Sequence, residues 1–155
     1  MRWITMLILI CAAAEARAYC VHNELKDRDV RAEQEEHPDA LRNDRRMLVT
    51  LKPGESKCCQ FHELDCNPLG RNNSVVKLEV SVPGTPSYEC SPPGPDRAVK
   101  VTGAGTIRIQ PNPNKKSANP YIVRIGTLDK DLTGPAGVPC QEPRPKQVFP
   151  PKGKR

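Results

Sequence analysis

Aromatic residues are scarce in this chain: its 155 residues include one Trp, three Tyr and two Phe. A core must therefore be assembled from Val, Leu and Ile side chains, with help from crosslinks in a domain of this size. Domains that bind nucleic acid usually combine aromatic stacking surfaces with a basic face. Because the sequence offers neither on its central part, we expect no nucleic acid as partner.

Long apolar runs are also missing, with one exception at the N-terminus. Residues 1–18 begin with a basic residue, continue through an apolar stretch at 3–14 and close on Ala16-Arg17-Ala18. This order is typical of a secretory signal peptide. The alternative, a membrane anchor, requires about 20 apolar residues, and this run is shorter. We therefore predict a secreted, extracellular protein that begins at Tyr19 and has no transmembrane segment.

Motifs of catalysis are missing as well. The sequence contains neither G-x-S-x-G nor H-E-x-x-H, so no enzyme is predicted. The alternative is a small secreted hydrolase or a hydrolase inhibitor, because carboxylates such as Glu63, Asp65 and Glu89 would serve in a cleft. In that alternative, two carboxylates should stand about 5–10 Å apart.

A metal site is the sharper interpretation of one cluster. Cys58, Cys59, His62 and Cys66 stand close together, and thiolate and imidazole groups hold zinc. Their spacing fits no standard zinc motif, however, and an oxidising compartment favours disulfides. We predict no metal and no cofactor.

Cysteine is frequent in this chain, which has seven. Removal of the signal peptide leaves an even number, which indicates a disulfide framework; these residues are Cys20, Cys58, Cys59, Cys66, Cys90 and Cys140. Six cysteines allow 15 pairings, and the sequence does not select one. If 57–61 is a strand, Cys58 and Cys59 point to opposite faces. Cys66 is then the local partner of one, Cys90 is the candidate for the core-facing one, and Cys20 is left with Cys140.

The 17 prolines and 10 glycines argue against long helices and for short strands joined by turns. Alternating apolar residues are clearest at 74–82, where Val76, Leu78, Val80 and Val82 share one face. Segments 47–51 and 57–61 are predicted to form a hairpin across a Pro-Gly turn, and 98–102 and 106–110 a second one. The fold class is therefore all-β: a small, disulfide-stabilised antiparallel β-sandwich of about seven strands over residues 19–140. A barrel is the alternative, and unequal strands with long loops favour the sandwich.

The net charge of +6 belongs largely to the C-terminus. Residues 141–155 are Pro-rich and are predicted to form a disordered tail. Its basic side chains are candidate contacts to a polyanion; they are Arg144, Lys146, Lys152, Lys154 and Arg155. The alternative is a processing signal, because Gly153-Lys154-Arg155 places a dibasic pair after glycine.

Asn72-Asn73-Ser74 is a glycosylation triplet in a predicted exposed loop of an exported chain. Asn72 is therefore a candidate glycan attachment site, and an unused triplet is the alternative.

One stretch resembles a known pattern. Residues 51–59 (LKPGESKCC) are followed by Asp65-Cys66-Asn67-Pro68 and then by Ser74-Val75-Val76. This arrangement is similar to that of small secreted cysteine-rich fungal proteins, in which a Pro-Gly turn leads into a Cys-Cys pair, a Cys-Asn loop and an apolar strand. The resemblance implies a compact, exported β-sandwich and carries over no catalytic residue.

The sequence thus predicts a secreted, non-enzymatic structural or interaction protein. We expect it to act at the cell surface, the cell wall or a host interface. The expected partner is an anionic surface or cell-wall polysaccharide, or another extracellular protein.

Overall fold

The computed structural model describes residues 17–37, 46–60, 62–67, 69–71, 73–94, 97–102, 105–127, 130–134 and 136–143. Residues 1–16 of the predicted signal peptide, Asn72 and all five basic residues of the predicted tail lie outside these ranges.

The described residues form ten β-strands and no helix, so the prediction of an all-β fold is confirmed. The predicted number of about seven strands was too low. The strands are β1 (Arg17–Asn23), β2 (Val30–Gln34), β3 (Leu48–Leu51), β4 (Ser56–Gln60), β5 (Val75–Val82), β6 (Tyr88–Cys90), β7 (Val99–Thr102), β8 (Gly105–Pro111), β9 (Tyr121–Gly126) and β10 (Val138–Gln141).

Nine of the strands follow one continuous path of hydrogen-bonded neighbours, in the order β3-β2-β5-β6-β10-β9-β8-β1-β4. The seventh strand, β7, pairs with β5 beside that path. The two end strands, β3 and β4, are joined by a short turn, so the sheet is nearly closed. The pairing of β1 with β8 is parallel and all the others are antiparallel. The sheet is therefore mixed, and the purely antiparallel arrangement we predicted was wrong.

Both predicted hairpins have the right strands and the wrong partners. β3 pairs with β2 and β4 pairs with β1, although only the turn 52–55 separates them. β7 pairs with β5, whereas β8 pairs with β1 and β9. Gly and Pro reverse the chain, but they do not decide which edge each strand joins. That choice depends on which apolar faces cover one another.

The core lies inside the nearly closed sheet and is largely aliphatic, as the shortage of aromatics requires, with Tyr19 as a buried aromatic. β5 alternates as predicted: Val76, Leu78, Val80 and Val82 are buried, and the residues between them are exposed or half-buried. Val21, Ile107 and Ile109 on the parallel pair are fully buried in the same core cluster.

The six cysteines form three disulfides. Cys20 of β1 bonds to Cys58 of β4, and Cys90 of β6 bonds to Cys140 of β10. In both cases the two residues are register partners on neighbouring antiparallel strands, with Cα atoms 4.0 and 3.9 Å apart. The third disulfide joins Cys59 to Cys66 in the loop that follows β4.

The local pairing of Cys66 with one member of the Cys58–Cys59 pair is confirmed, but the other predicted pairings were wrong. The fully buried Cys59 is the one that bonds to Cys66, because the loop folds back over the end of the core. Cys90 bonds to Cys140, since β6 and β10 are neighbours in the sheet. Disulfide pairing thus follows strand neighbours, which alternation does not reveal.

Candidate functional site

The loop after β4, residues 62–71, is held in place at several points. The Cys59–Cys66 disulfide fixes its middle, and the Tyr19 hydroxyl donates to the carbonyl oxygen of Cys66 at 3.1 Å. The buried Asn67 side chain donates from Nδ2 to the carbonyl oxygen of Arg71 at 2.8 Å. His62, Glu63 and Asp65 remain exposed on this loop, which we call the stapled loop.

Tyr19 couples the stapled loop to the core. Burial raises the pKa of its hydroxyl well above the ordinary value of about 10, and the nearby Glu63 carboxylate adds to this effect. A raised folded-state pKa stabilises the fold below the unfolded pKa, and this contribution is lost as the pH rises above about 10.

Substitution Tyr19→Phe tests this coupling. We expect the variant to be less stable than the native chain by about 1 kcal/mol at pH 8, because the hydrogen bond to Cys66 is lost. Above pH 10 the difference should shrink by up to about 1.4 kcal/mol per pH unit, since the phenylalanine has no proton to lose. Urea unfolding at pH 8 to 11 measures both effects. A difference that is constant over this range would contradict the prediction.

The cluster that was considered for zinc and not predicted to bind it has no free thiolate among its cysteines. Within the described part of the chain, the group that comes close enough to hold a metal is Cys59, Glu63 and Cys66. Both of its sulfur atoms belong to the same disulfide, so neither is the thiolate that zinc requires. Cys58 is likewise bonded to Cys20.

The outer face of β8 and β9 carries a groove of about 280 Å³, which we call the arginine groove. Arg108 of β8 and Arg124 of β9 are direct register partners across the two strands. Lys130 and Asp131, which follow β9, add one positive and one negative side chain to its lining. Arg124 donates to Asp131 Oδ2 at 2.7 Å and to the carbonyl oxygen of Gly134 at 2.6 Å.

Asp131 is held as an anion in this groove. Hydrogen bonds from the Thr133 hydroxyl and backbone N–H, with a smaller effect of the Arg124 guanidinium, lower the pKa of its carboxyl group. The carboxylate therefore stays charged and keeps Arg124 in one position.

A second, smaller groove of about 170 Å³ lies on the outer face of β2, β5 and β6, and we call it the mixed-charge groove. It brings Glu33, Glu79 and Glu89 together with Arg31 and Arg97. Glu33 and Glu79 are direct register partners, and Arg31 forms an ion pair with Glu33 at 3.0 Å.

The structure separates the carboxylates considered from the sequence. Glu89 lies in the mixed-charge groove, while Glu63 and Asp65 lie on the stapled loop. Sequence reasoning missed the arginine groove. The only signal available was that Arg108 and Arg124 are each the single charged residue of their strand.

Comparison with known proteins gives no match: no family model, no curated protein and no solved structure is similar to this chain. The resemblance to small secreted cysteine-rich fungal proteins therefore stays a prediction. Among the described residues, no helix is long and apolar enough to cross a membrane.

Proposed function

We propose that this protein is a secreted, non-enzymatic interaction module that attaches to anionic extracellular polymers at a cell surface, a cell wall or a host interface. The observation that carries the proposal is the scaffold: a nearly closed β-sheet crosslinked by three disulfides. Such crosslinking is typical of secreted domains, and it holds exposed loops and charged grooves in fixed positions.

The predicted tail supplies attachment by charge. It leaves the sheet at the end of β10, where Gln141 pairs with Glu89. The sequence beyond this point carries five basic side chains against the single acidic Glu142. A short cationic segment tethered to a rigid domain binds polyanions weakly, and salt screens the attraction.

Neutralising the tail tests this function. We expect the full chain with Arg144, Lys146, Lys152, Lys154 and Arg155 changed to Gln to lose most of its retention on a matrix of polygalacturonate or sulfated polysaccharide at low salt. Retention of the native chain should fall as salt rises from about 0.05 to 0.5 M. The control is a chain in which five exposed lysines outside both grooves are changed to Gln: Lys52, Lys57, Lys100, Lys115 and Lys116. If neither matrix retains the native chain, the proposed function is contradicted.

A small secreted hydrolase or hydrolase inhibitor is the second candidate, and the mixed-charge groove is the observation that favours it. The groove contains three carboxylates, and a glycoside hydrolase uses two. Arg31 forms an ion pair with one of these carboxylates, and Arg97 lines the same groove. Because a neighbouring arginine favours the ionised form of a carboxyl group, it opposes the protonated form that a general acid needs. We therefore place this function second.

A further inference from the structure

We propose that the arginine groove is a binding site for one anionic sugar unit of an extracellular polysaccharide, recognised through its carboxylate or sulfate group. This inference rests on the proposed function and assigns a specific site on the folded domain to it, separate from the tail.

The arrangement of the two arginines is the first argument. Side chains directly opposite each other on paired strands lie about 5 Å apart at Cβ, and like charges in such positions destabilise a sheet. The fold retains this pair and compensates its two members differently. Arg124 is anchored by Asp131 and Gly134, whereas Arg108 has Glu24 only at 3.6 Å and its side chain is 52% exposed. Arg108 is therefore the guanidinium positioned to turn toward a ligand.

The anchoring of Arg124 is the second argument. The amide of Gln110, in the orientation that satisfies both of its neighbours, accepts from Arg124 Nε at 2.7 Å and donates to Glu24 at 3.2 Å. The Gln110 side chain thus links Glu24, which also pairs with Arg108, to Arg124 in the groove. A cationic group that is held before the ligand arrives loses little conformational entropy on binding.

The turn that closes the groove is the third argument. Thr127 donates from its backbone N–H to the carbonyl oxygen of Lys130 at 2.8 Å, and Leu132 donates to Ile125 at 2.7 Å. At Gly126 a Cβ atom would stand 2.6 Å from the Lys130 carbonyl oxygen, so this approach requires glycine. The turn places Lys130 and Asp131 beside Arg124.

Size and lining favour a sugar unit as the ligand. A volume of about 280 Å³ is just below the range of sites for drug-sized molecules, so one small unit fits. Thr106 and Gln110 make the lining polar, and their hydroxyl and amide are themselves held by Gly126, Arg124 and Glu24. None of the lining residues that the structure describes is aromatic, whereas binding of single-stranded nucleic acid depends on stacking.

The test measures binding of labelled tetrasaccharides by fluorescence anisotropy at about 0.05 M salt. The probes are tetragalacturonate, a sulfated tetrasaccharide and neutral cellotetraose. The protein is the full chain with the five tail residues changed to Gln, so that the groove is measured without the tail. We expect binding of at least one anionic probe and none of the neutral one; the probe that binds identifies carboxylate or sulfate as the recognised group.

The decisive variant is Arg108→Gln, and its matched control is Lys77→Gln. Lys77 is also a strand cation, is 39% exposed, forms an ion pair with Glu35 at 3.8 Å and lines neither groove. Loss of a charge-assisted contact should weaken binding about tenfold for Arg108→Gln, and Lys77→Gln should change it less than twofold. Equal weakening by the two substitutions would overturn the proposal. Should Arg108→Gln lower the melting temperature, Lys130→Gln at the exposed rim provides the second variant, with the same expected direction.

Different results would contradict the proposed groove site and the proposed function. If the tail-neutral chain binds no probe while the native chain is retained on the anionic matrix, the groove is wrong and the proposed function stands. If the native chain is retained on no anionic matrix, the proposed function is wrong as well.

Discussion

Replacing both Cys90 and Cys140 with alanine is expected to lower the free energy of unfolding by about 4 kcal/mol. The disulfide spans 50 positions of sequence, and in the loop-entropy model a loop of that length is worth about this much. It also lies at the narrowest point of the sheet, since β6 and β10 are paired through only two residue pairs. This pairing joins the half of the sheet that contains β5 to the half that contains β8. Because small domains have a total stability of about 5–15 kcal/mol, the loss is a large fraction of it.

Guanidinium chloride unfolding of the oxidised proteins measures this loss. The matched control replaces Cys59 and Cys66, whose disulfide closes a separation of 7 positions and is worth about 2 kcal/mol in the same model. Equal losses for the two double variants would contradict the assignment of the sheet junction to the Cys90–Cys140 disulfide.

Substitution Asn23→Ala is expected to cost about 4 kcal/mol as well. Asn23 is buried at the end of β1, and its Nδ2 atom donates to the carbonyl oxygens of Arg28 at 2.8 Å and Leu51 at 2.9 Å. Its Oδ1 atom accepts from the backbone N–H of Leu25 at 3.0 Å. Alanine would leave all three backbone groups without this hydrogen-bond partner, and each buried group left unpaired costs about 1–3 kcal/mol. The side chain thus joins β1, the turn after it and the end of β3.

Asn112→Ala is the control for this substitution. Asn112 makes similar contacts, to the Asn119 carbonyl oxygen at 2.8 Å and from the Asn114 N–H at 2.9 Å, but water reaches it. Its loss should cost about 1 kcal/mol. Thermal and urea unfolding of both variants make the comparison, and a similar cost at the two sites would show that burial of Asn23 is not the cause.

The positions of the strands were predictable because period-2 alternation reflects burial on one face. β5 is the clearest example, with four buried apolar residues at alternate positions. Pairing was not predictable, because alternation is the same whichever neighbour a strand joins. The segment around the Pro-Gly turn illustrates this: the turn formed, yet β3 and β4 joined opposite ends of the sheet.

The candidate site shows the same limit. Arg108 and Arg124 are 16 positions apart, and only the β8–β9 register makes them neighbours. Local patterns drew attention instead to the Cys-rich loop, whose cysteines serve as crosslinks. Asn23 is equally inconspicuous in sequence, because a polar residue at a strand end is ordinarily exposed.

The parallel pairing of β1 with β8 has a consequence for the order in which the chain folds. Tyr19 pairs with Gly105 and Asn23 with Ile109, so β1 is synthesised long before its parallel partner β8. Contacts so distant in sequence slow folding, because loop-closure entropy is lost before they form. Cys20 and Cys58 become available well before β8 does. We therefore expect their disulfide to be able to form first and to hold β1 beside β4 while the rest of the sheet is still being made.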